Sequence, residues 1–316
     1  MHRGLLRYLI RRVLLAVILV IVVSSAALLL VQAAPGDYLS GFDLDPATVA
    51  AERSRLGLDR PAIVQYLSWL GRAARFDLGE SLKYRRPVAS LVSERAAMTA
   101  LLGVAALLLA TLVGVPAGIF TASRRNTLTA LTRGLSLLLL SVPSLVTSFA
   151  LLLLASRTGW FPVGGLAMSN DAGAWLLSAK YLVLPAVALA LPIAASLERI
   201  QSQALADALS DPAVRAAAAR GCSYRRVVWR HAFRLSLKPV LAIYGAIVGS
   251  VLSGSFAVEI VTSWPGLGAL MYEALIARDL FLVAGCAAMG AILLAIGILA
   301  SDIAVAIADP RVEESA

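Results

Sequence analysis

Charged residues are scarce in this chain of 316 amino acids. Aspartate, glutamate, lysine and arginine make up 15% of it, whereas hydrophobic residues make up 59%. Soluble globular domains carry about 25% charged residues, so this shortage excludes an ordinary water-soluble domain. The mean hydropathy of +0.83 indicates that lipid is the main solvent of the chain.

Cysteine and histidine are also rare. Cys222, Cys286, His2 and His231 are too few and too widely spaced to predict a closed metal site. The topology predicted below places Cys222 in the cytoplasm and Cys286 inside a membrane helix. Both cysteines are therefore predicted to be packing residues and not partners in a disulfide.

Sequence signatures of catalysis are missing as well. The chain contains no GxxxxGK[S/T] phosphate loop, no HExxH motif and no evident paired carboxylates or activated nucleophile. We therefore expect a non-catalytic subunit that binds no ATP or other cofactor itself. A secondary transporter or channel is the rival class, but such a carrier needs polar coupling sites near mid-membrane, and the apolar runs carry almost none there.

Six uncharged runs are long enough to cross the roughly 30 Å of membrane hydrocarbon as helices. They predict an all-α integral membrane protein with six transmembrane helices. Internal prolines at Pro116, Pro143, Pro185 and Pro192 are expected to kink these helices, since neighbouring helices can satisfy the freed backbone groups. The runs are residues 13–31, 96–121, 134–155, 181–197, 239–258 and 280–301.

The net charge of +9 comes from basic residues that flank the apolar runs. This placement is typical of charges that fix membrane orientation and not of a nucleic-acid surface. The short loops on one side hold only Arg157, Lys180 and Arg278, so we predict that the other side, with both termini, is cytoplasmic. The first run also fits a secretory signal, but its 19 residues exceed the usual core, and cleavage would leave the sidedness unchanged.

The connection of residues 32–95 is long enough to be exempt from the charge rule, and we predict that it forms an external cap. Two helices are expected in it, the first beginning at Asp45-Pro46 and the second at Asp59-Arg60-Pro61, because aspartate is a preferred N-cap and proline suits the first helical position. The apolar positions that share one face of the second helix are Ile63, Tyr66, Leu67 and Leu70.

Residues 199–238 form the most informative loop, because 40 residues are generous for a simple connection. Asp211-Pro212 begins a short helix as N-cap and first residue, an alanine-rich stretch continues to Arg220, and Gly221 suits the left-handed position that ends it. Two interpretations are open. In the first, the helix lies on anionic lipid. In the second, it is a rigid body that transmits the movement of a cytoplasmic motor into the membrane.

The segment Asp211-Pro212-Ala213-Val214-Arg215-Ala216-Ala217-Ala218-Ala219-Arg220-Gly221 resembles the EAA loop of ABC importer permeases in its peptide-transporter form. In that family the short helix docks in a cleft of the ATPase subunit. The resemblance therefore implies an ATPase-coupling role for Asp211, Pro212, Arg215, Ala216, Ala217, Arg220 and Gly221.

Further motifs resemble the first of the two paired permeases of these systems, in order and spacing along nearly the whole chain. They include Ala34-Pro35-Gly36-Asp37, Leu56-Gly57-Leu58-Asp59-Arg60-Pro61, Asp77-Leu78-Gly79-Glu80-Ser81, Ser141-Val142-Pro143-Ser144, Gly159-Trp160-Phe161-Pro162-Val163-Gly164-Gly165, Trp264-Pro265-Gly266-Leu267-Gly268, Arg278-Asp279 and Asp309-Pro310-Arg311.

The resemblance implies a type I ABC importer transmembrane domain in a bacterial inner membrane. Residues 1–95 would form the first transmembrane helix and a long periplasmic loop, residues 96–308 the five-helix transmembrane domain, and residues 309–316 a cytoplasmic tail. The implied partners are a second homologous permease, two cytoplasmic ATPase subunits that hold ATP and Mg²⁺, and an external solute-binding protein. Peptides are the expected cargo, and nickel, glutathione and oligosaccharides remain open.

Four residues near the end of the fifth span are candidates for the translocation pathway or its gate. Trp264-Pro265-Gly266 fits either a gate element or a turn at the membrane interface, where tryptophan is common. Glu259 either lines the entrance or is simply solvated. A membrane-anchored scaffold without transport is the last alternative that the sequence leaves open.

Overall fold

A computed structural model describes residues 2–36, 38–41, 46–56, 59–124, 126–163 and 174–308. The described residues are predominantly helical, in agreement with the all-α prediction. The predicted tail 309–316 and parts of the motifs at residues 34–37, 56–61, 159–165 and 309–311 lie outside these ranges. The helices are α1 His2–Ala33, α2 Pro46–Leu56, α3 Ala62–Ala73, α4 Val88–Ser123, α5 Thr127–Ser141, α6 Ser144–Thr158, α7 Ala174–Ser210, α8 Pro212–Ala219, α9 Tyr224–Arg226, α10 Phe233–Ala242, α11 Tyr244–Thr262, α12 Leu267–Ile276 and α13 Leu280–Ala308.

Five of the described helices are long and apolar enough to cross a membrane, and there are six spans if α5 and α6 together count as one. The prediction of a multi-spanning protein is confirmed, and the predicted number of six spans is reached when α5 and α6 count as one. The five single spans are Ile10–Ala33, Val88–Ser123, Ala179–Ser210, Tyr244–Thr262 and Leu280–Val305.

The third predicted span is wrong in one respect, because residues 134–155 do not form a single helix. The chain bends by 106° between α5 and α6. Val142 has extended backbone angles, and Pro143 is the N-cap of α6. Proline disfavours the helical conformation in the residue before it, and here that preference ends the helix. Pro185 and Pro192, in contrast, lie inside the continuous helix α7.

The fifth predicted span, residues 239–258, also differs from the structure. Pro239 lies inside α10, and the chain leaves α-helical hydrogen bonding at Ile243 before α11 begins at Tyr244. The span that follows ends at Thr262, four residues beyond the predicted end.

The chain divides into two compact units. The first contains residues 101–264 and short pieces from both ends of the chain, and the second contains residues 6–100 and 265–295. The core of the second unit joins the start of α4, the helix α12 and the start of α13, where Val88, Leu270 and Leu282 are all at most 2% exposed. Cys286, predicted to be a packing residue, is 1% exposed in the same core.

Helix α3 begins one residue after the predicted start segment Asp59-Arg60-Pro61. It starts at Ala62 with Pro61 as its N-cap, and no side chain caps it, so the expected cap by Asp59 is wrong. The core residue of α3 is Trp69, which is 1% exposed and packs with Leu28 of α1. The sequence pattern did not single out this tryptophan.

Asp279 ties the end of the cap to the start of α13. Its carboxylate accepts hydrogen bonds from Ser81 Oγ at 2.6 Å and from the backbone N–H of Lys83 at 3.0 Å. The same carboxylate caps α13 by accepting from the N–H of Leu282 at 3.1 Å. Because Asp279 is fully buried and its bonds to Ser81 and Leu282 are buried with it, these two donors depend on it for a partner.

A second polar contact holds the same segment to α12. Glu273 accepts hydrogen bonds from Lys83 Nζ at 2.9 Å and from the hydroxyl of Tyr84. Burial acts to raise the pKa of Glu273, but the hydrogen bonds from Tyr84 and Lys83 outweigh it, and the pKa is lowered from its ordinary value. A lowered carboxyl pKa stabilises the folded state at neutral pH and ceases to do so as the pH falls through it.

We expect the substitution Asp279→Ala to destabilise the protein by about 2–3 kcal/mol, because it removes a helix cap and leaves buried donors without an acceptor. Asp279→Asn is the matched control, since it keeps one acceptor oxygen and should cost less. Thermal unfolding of the purified protein in detergent measures both. Equal melting temperatures for Asp279→Ala and the unchanged protein would contradict this role.

Candidate functional site

The predicted short helix is present as α8, and local sequence explains both of its ends. The Oδ1 atom of Asp211 accepts a hydrogen bond from the N–H of Ala213 at 2.8 Å, and Pro212 occupies the first turn. Arg220 is the C-cap, and Gly221 follows with a φ of +85°. This left-handed conformation costs glycine little and other residues more.

Helix α8 has an inward and an outward face. Val214 and Ala217 are 2% and 1% exposed, whereas Arg215, Ala216 and Arg220 are exposed. The seven predicted coupling residues therefore lie in one segment but do not share one surface. The side chain of Ala217 points to the core of the protein, so it is not available for contact with another subunit.

The inward face of α8 packs on three other elements. Its core neighbours are Leu205 and Ala208 at the end of α7, Ile119 near the end of α4, and Val227 of the segment that follows α8. An isolated helix of eight residues is unstable in water. This shared apolar core is therefore what holds α8 in place, and α8 is held to the ends of two long helices.

The two helices that carry α8 approach each other closely. A Cβ atom on Gly114 would lie 2.5 Å from the carbonyl oxygen of Ala194, and one on Gly118 would lie 2.6 Å from that of Glu198. Both distances are too short for a side chain, so α4 and α7 can pack in this way only with glycine at these positions. Small residues four apart are a known packing pattern of membrane helices, and this signal could have revealed the contact from the sequence.

A buried hydrogen bond fixes the same junction. Thr121 Oγ1 of α4 donates to Glu198 Oε1 of α7 at 2.5 Å, and Glu198 is 2% exposed. One turn further along α7, Gln201 Nε2 donates to Ser236 Oγ of α10 at 2.8 Å. These polar contacts were not predicted, because nothing in the local sequence indicates which partners meet.

A second basic segment follows α8. It consists of α9, a π-helix over Val227–Ala232 and then α10. The hydroxyl of Tyr224 donates to the carbonyl oxygen of Ser123 at 2.9 Å, which fastens this segment to the end of α4. Segments of π-helix are rare and frequently mark functional sites.

The surface around α8 is strongly basic. Residues 199–238 contain eight basic and two acidic residues. The two acids, Asp207 and Asp211, border an open groove of about 390 Å³ together with Leu235 and Pro239. The basic residues with exposed side chains are Arg199, Arg215, Arg220, Arg225, Arg226, Arg230, Arg234 and Lys238. Such a surface favours an acidic partner.

The four candidate pathway residues lie at the end of α11 and in the turn to α12. Glu259 is 0% exposed, so the alternative that it is simply solvated is wrong. Trp264 is 3% exposed, and its backbone N–H donates to the carbonyl oxygen of Glu259 at 2.9 Å. Pro265 follows, and Gly266 is the N-cap of α12. Their role as a gate stays a prediction.

Comparison with known proteins gives matches along nearly the whole chain. Residues 114–314 match the model of the family described as binding-protein-dependent transport system inner membrane component, and residues 5–103 match the N-terminal model of such membrane components. The chain is 32% identical to the oligopeptide transport system permease protein AppB of Bacillus subtilis, over 97% of this chain and 99% of the relative. It is 31% identical to the oligopeptide transport system permease protein OppB of Salmonella typhimurium, over 98% of this chain and 99% of the relative.

We expect Gly221→Val to loosen α8, because a β-branched residue in the left-handed conformation costs about 1–2 kcal/mol. A Cβ at Gly221 would have no atom within 4 Å, so the cost lies in the backbone alone. Amide hydrogen exchange over residues 212–221 should accelerate about 5- to 30-fold, while Gly221→Asn should have a much smaller effect.

Gly159→Val is the matched control for this experiment. Gly159 also has a positive φ, of +67°, with nothing within 4 Å of its Cβ position, but it ends α6. Its substitution should leave exchange in α8 unchanged. Unchanged exchange in the Gly221→Val protein would contradict the assignment of Gly221 as the stop of α8.

Proposed function

Because the chain belongs to the family of binding-protein-dependent transport system inner membrane components, we infer that it is a permease subunit of an ATP-binding-cassette importer of peptides in the inner membrane. The observation that carries this conclusion is the alignment with an oligopeptide permease over 97% of this chain and 99% of the relative. Because the similarity extends over nearly the full length, it relates the whole chain, and not one motif, to the oligopeptide permease.

Peptides are the favoured cargo among those that the sequence left open. Two relatives that align along nearly their whole length are named as oligopeptide permeases. Nickel, glutathione and oligosaccharides have no such support. A secondary transporter or channel is also not favoured, since the family is defined by dependence on a binding protein.

The subunit works in a complex. Its partners are a second homologous permease, two cytoplasmic ATPase subunits and an external solute-binding protein. ATP and Mg²⁺ bind to the ATPase subunits, and this chain is non-catalytic. The loop of residues 199–238 and both termini face the cytoplasm, which is supported by the concentration of basic residues in that loop.

Helix α8 couples the ATPase to the membrane helices. Its outward face, with Arg215, Ala216 and Arg220, docks in the ATPase subunit. On its inward face Val214 and Ala217 are buried, and Val214 packs in one core with the ends of α4 and α7. Because close-packed elements move as rigid bodies, closure of the ATPase dimer displaces α8 together with those ends and switches the path between outward-open and inward-open states.

The same surface could instead rest on anionic lipid, which was the other interpretation of the sequence. The burial of Val214 and Ala217 argues against it. A helix that lies on a bilayer inserts its apolar face into the lipid, but the apolar side chains of α8 are occupied by the protein core. The exposed residues of α8 are Pro212, Arg215 and alanines, so the face that remains has no large apolar side chain to insert into lipid.

Uptake by proteoliposomes tests the function directly. We expect the complete complex with its binding protein to accumulate a labelled peptide only when ATP is supplied, and vesicles without the ATPase subunits to accumulate none. Excess unlabelled peptide should compete, whereas nickel, glutathione and oligosaccharide should not. Flux without the ATPase subunits would identify a carrier or channel, and an assembled complex without ATP-dependent uptake would identify a scaffold.

A charge reversal at the outward face of α8 makes the same experiment specific. Arg215→Glu is expected to lower ATP-driven uptake at least about tenfold, since the loss of one charge-assisted contact costs about 1.5–3 kcal/mol. Arg157→Glu is the control, because Arg157 is an exposed arginine at the end of α6. Equal uptake by the two variants would contradict docking through Arg215.

A further inference from the structure

Helix α3 presents an apolar face that the protein does not cover. Ile63, Val64 and Leu67 are 59%, 41% and 57% exposed. These three residues, here called the α3 apolar face, lie beside the side of the helix that packs on the protein, which contains half-buried Tyr66 and buried Trp69. Contiguous large aliphatic side chains exposed on one helix form a surface suited to contact with a membrane or a protein.

Contacts with α1 establish where α3 lies. Ser25 Oγ and the hydroxyl of Tyr66 are 3.0 Å apart, and Gln32 Nε2 donates to Gln65 Oε1 at 3.3 Å. Trp69 packs against Leu28 between these two contacts. Helix α3 is therefore held alongside residues 25–32 of α1 and not beyond the end of that helix.

Residues 25–32 belong to the candidate membrane span Ile10–Ala33. Ser25 lies eight residues before Ala33, which is about 12 Å along the helix axis. A span of 24 residues is about 36 Å long, compared with about 30 Å of hydrocarbon. Even if all of the excess length, about 6 Å, projects from the membrane at the Ala33 end, the Ser25 contact with α3 still lies inside the apolar layer.

The apolar surface of α1 continues at the same level. Leu29 and Leu30 are 45% and 71% exposed, as expected of side chains of a membrane span that face lipid. Of the polar residues of α3, Gln65 and Arg72 are half-buried, because Gln65 contacts α1 and Arg72 lies over the ring of Phe281. Ser68 is exposed, and it lies on a different side of the helix from Ile63 and Leu67.

We propose that α3 is an interfacial membrane helix whose apolar face, Ile63, Val64 and Leu67, is covered by lipid acyl chains in the leaflet around the Ala33 end of α1. A helix of this kind lies at the boundary between headgroups and acyl chains, with its apolar side in the lipid and its polar side in water. The external cap is then partly embedded and not wholly aqueous. This proposal depends on the membrane location of the chain and not on the coupling role of α8.

Site-specific fluorescence in the assembled importer tests the proposal. Single cysteines are introduced by Ile63→Cys and Leu67→Cys in a Cys222→Ser background, and Cys286 stays because it is buried. Each is labelled with the environment-sensitive fluorophore NBD, and the complex is reconstituted in phosphatidylethanolamine and phosphatidylglycerol vesicles. Ser68→Cys is the control, because Ser68 is exposed on a different side of the same helix.

We expect doxyl-labelled lipid to quench NBD at positions 63 and 67 at least threefold more strongly than at position 68, and aqueous iodide to show the reverse order. Efficient iodide quenching at 63 and 67 would overturn the proposal, since the face would then be in water. Protection from both quenchers would also overturn it, because a protein partner would then cover the face. Val64→Cys carries the same expectation if either variant is poorly expressed.

Discussion

The inward packing of α8 is the contact on which the proposed mechanism depends. Eight residues cannot sustain a helix alone, so the conformation of α8 derives from the burial of Val214 and Ala217 and from the core that Val214 shares with α4 and α7. The same contact determines what the helix can do. Its apolar side chains are occupied inside the protein, and the side left for a partner is basic and has small side chains.

Movement at α8 can reach the membrane only if α4 and α7 respond as rigid bodies. Apolar burial contributes little to helix association in lipid, so association depends on close packing and internal hydrogen bonds. Gly114 and Gly118 provide the close packing, and the bond from Thr121 to Glu198 provides a buried polar contact. These contacts lie near the end of α4 and reach α7 well before its end at Ser210, so a displacement of α8 is passed along the two helices together.

Local chemistry explains which features could be predicted from the sequence. The bounds of α8 follow from an aspartate-proline start and a glycine stop, and each acts within one turn of the chain. Whether Pro143 breaks the helix depends on whether neighbouring helices can bond to the backbone groups that the proline leaves free. The residues of one apolar run contain no information about those neighbours. Burial of Trp69, Glu198 and Glu259 likewise depends on residues far away in sequence. Only the glycine pair of α4 left a signal that the sequence could have supplied.

Photocrosslinking from the two faces of α8 is the sharpest test that its outward side contacts the ATPase subunit. Ala216→Cys and Ala217→Cys are adjacent alanine substitutions on the exposed and buried sides of the same helix, and each is labelled with a benzophenone maleimide in the assembled complex without Cys222. We expect an ATPase adduct from position 216 and little labelling or adduct from position 217. Adducts from position 216 with lipid alone, or equal ATPase adducts from both positions, would contradict it.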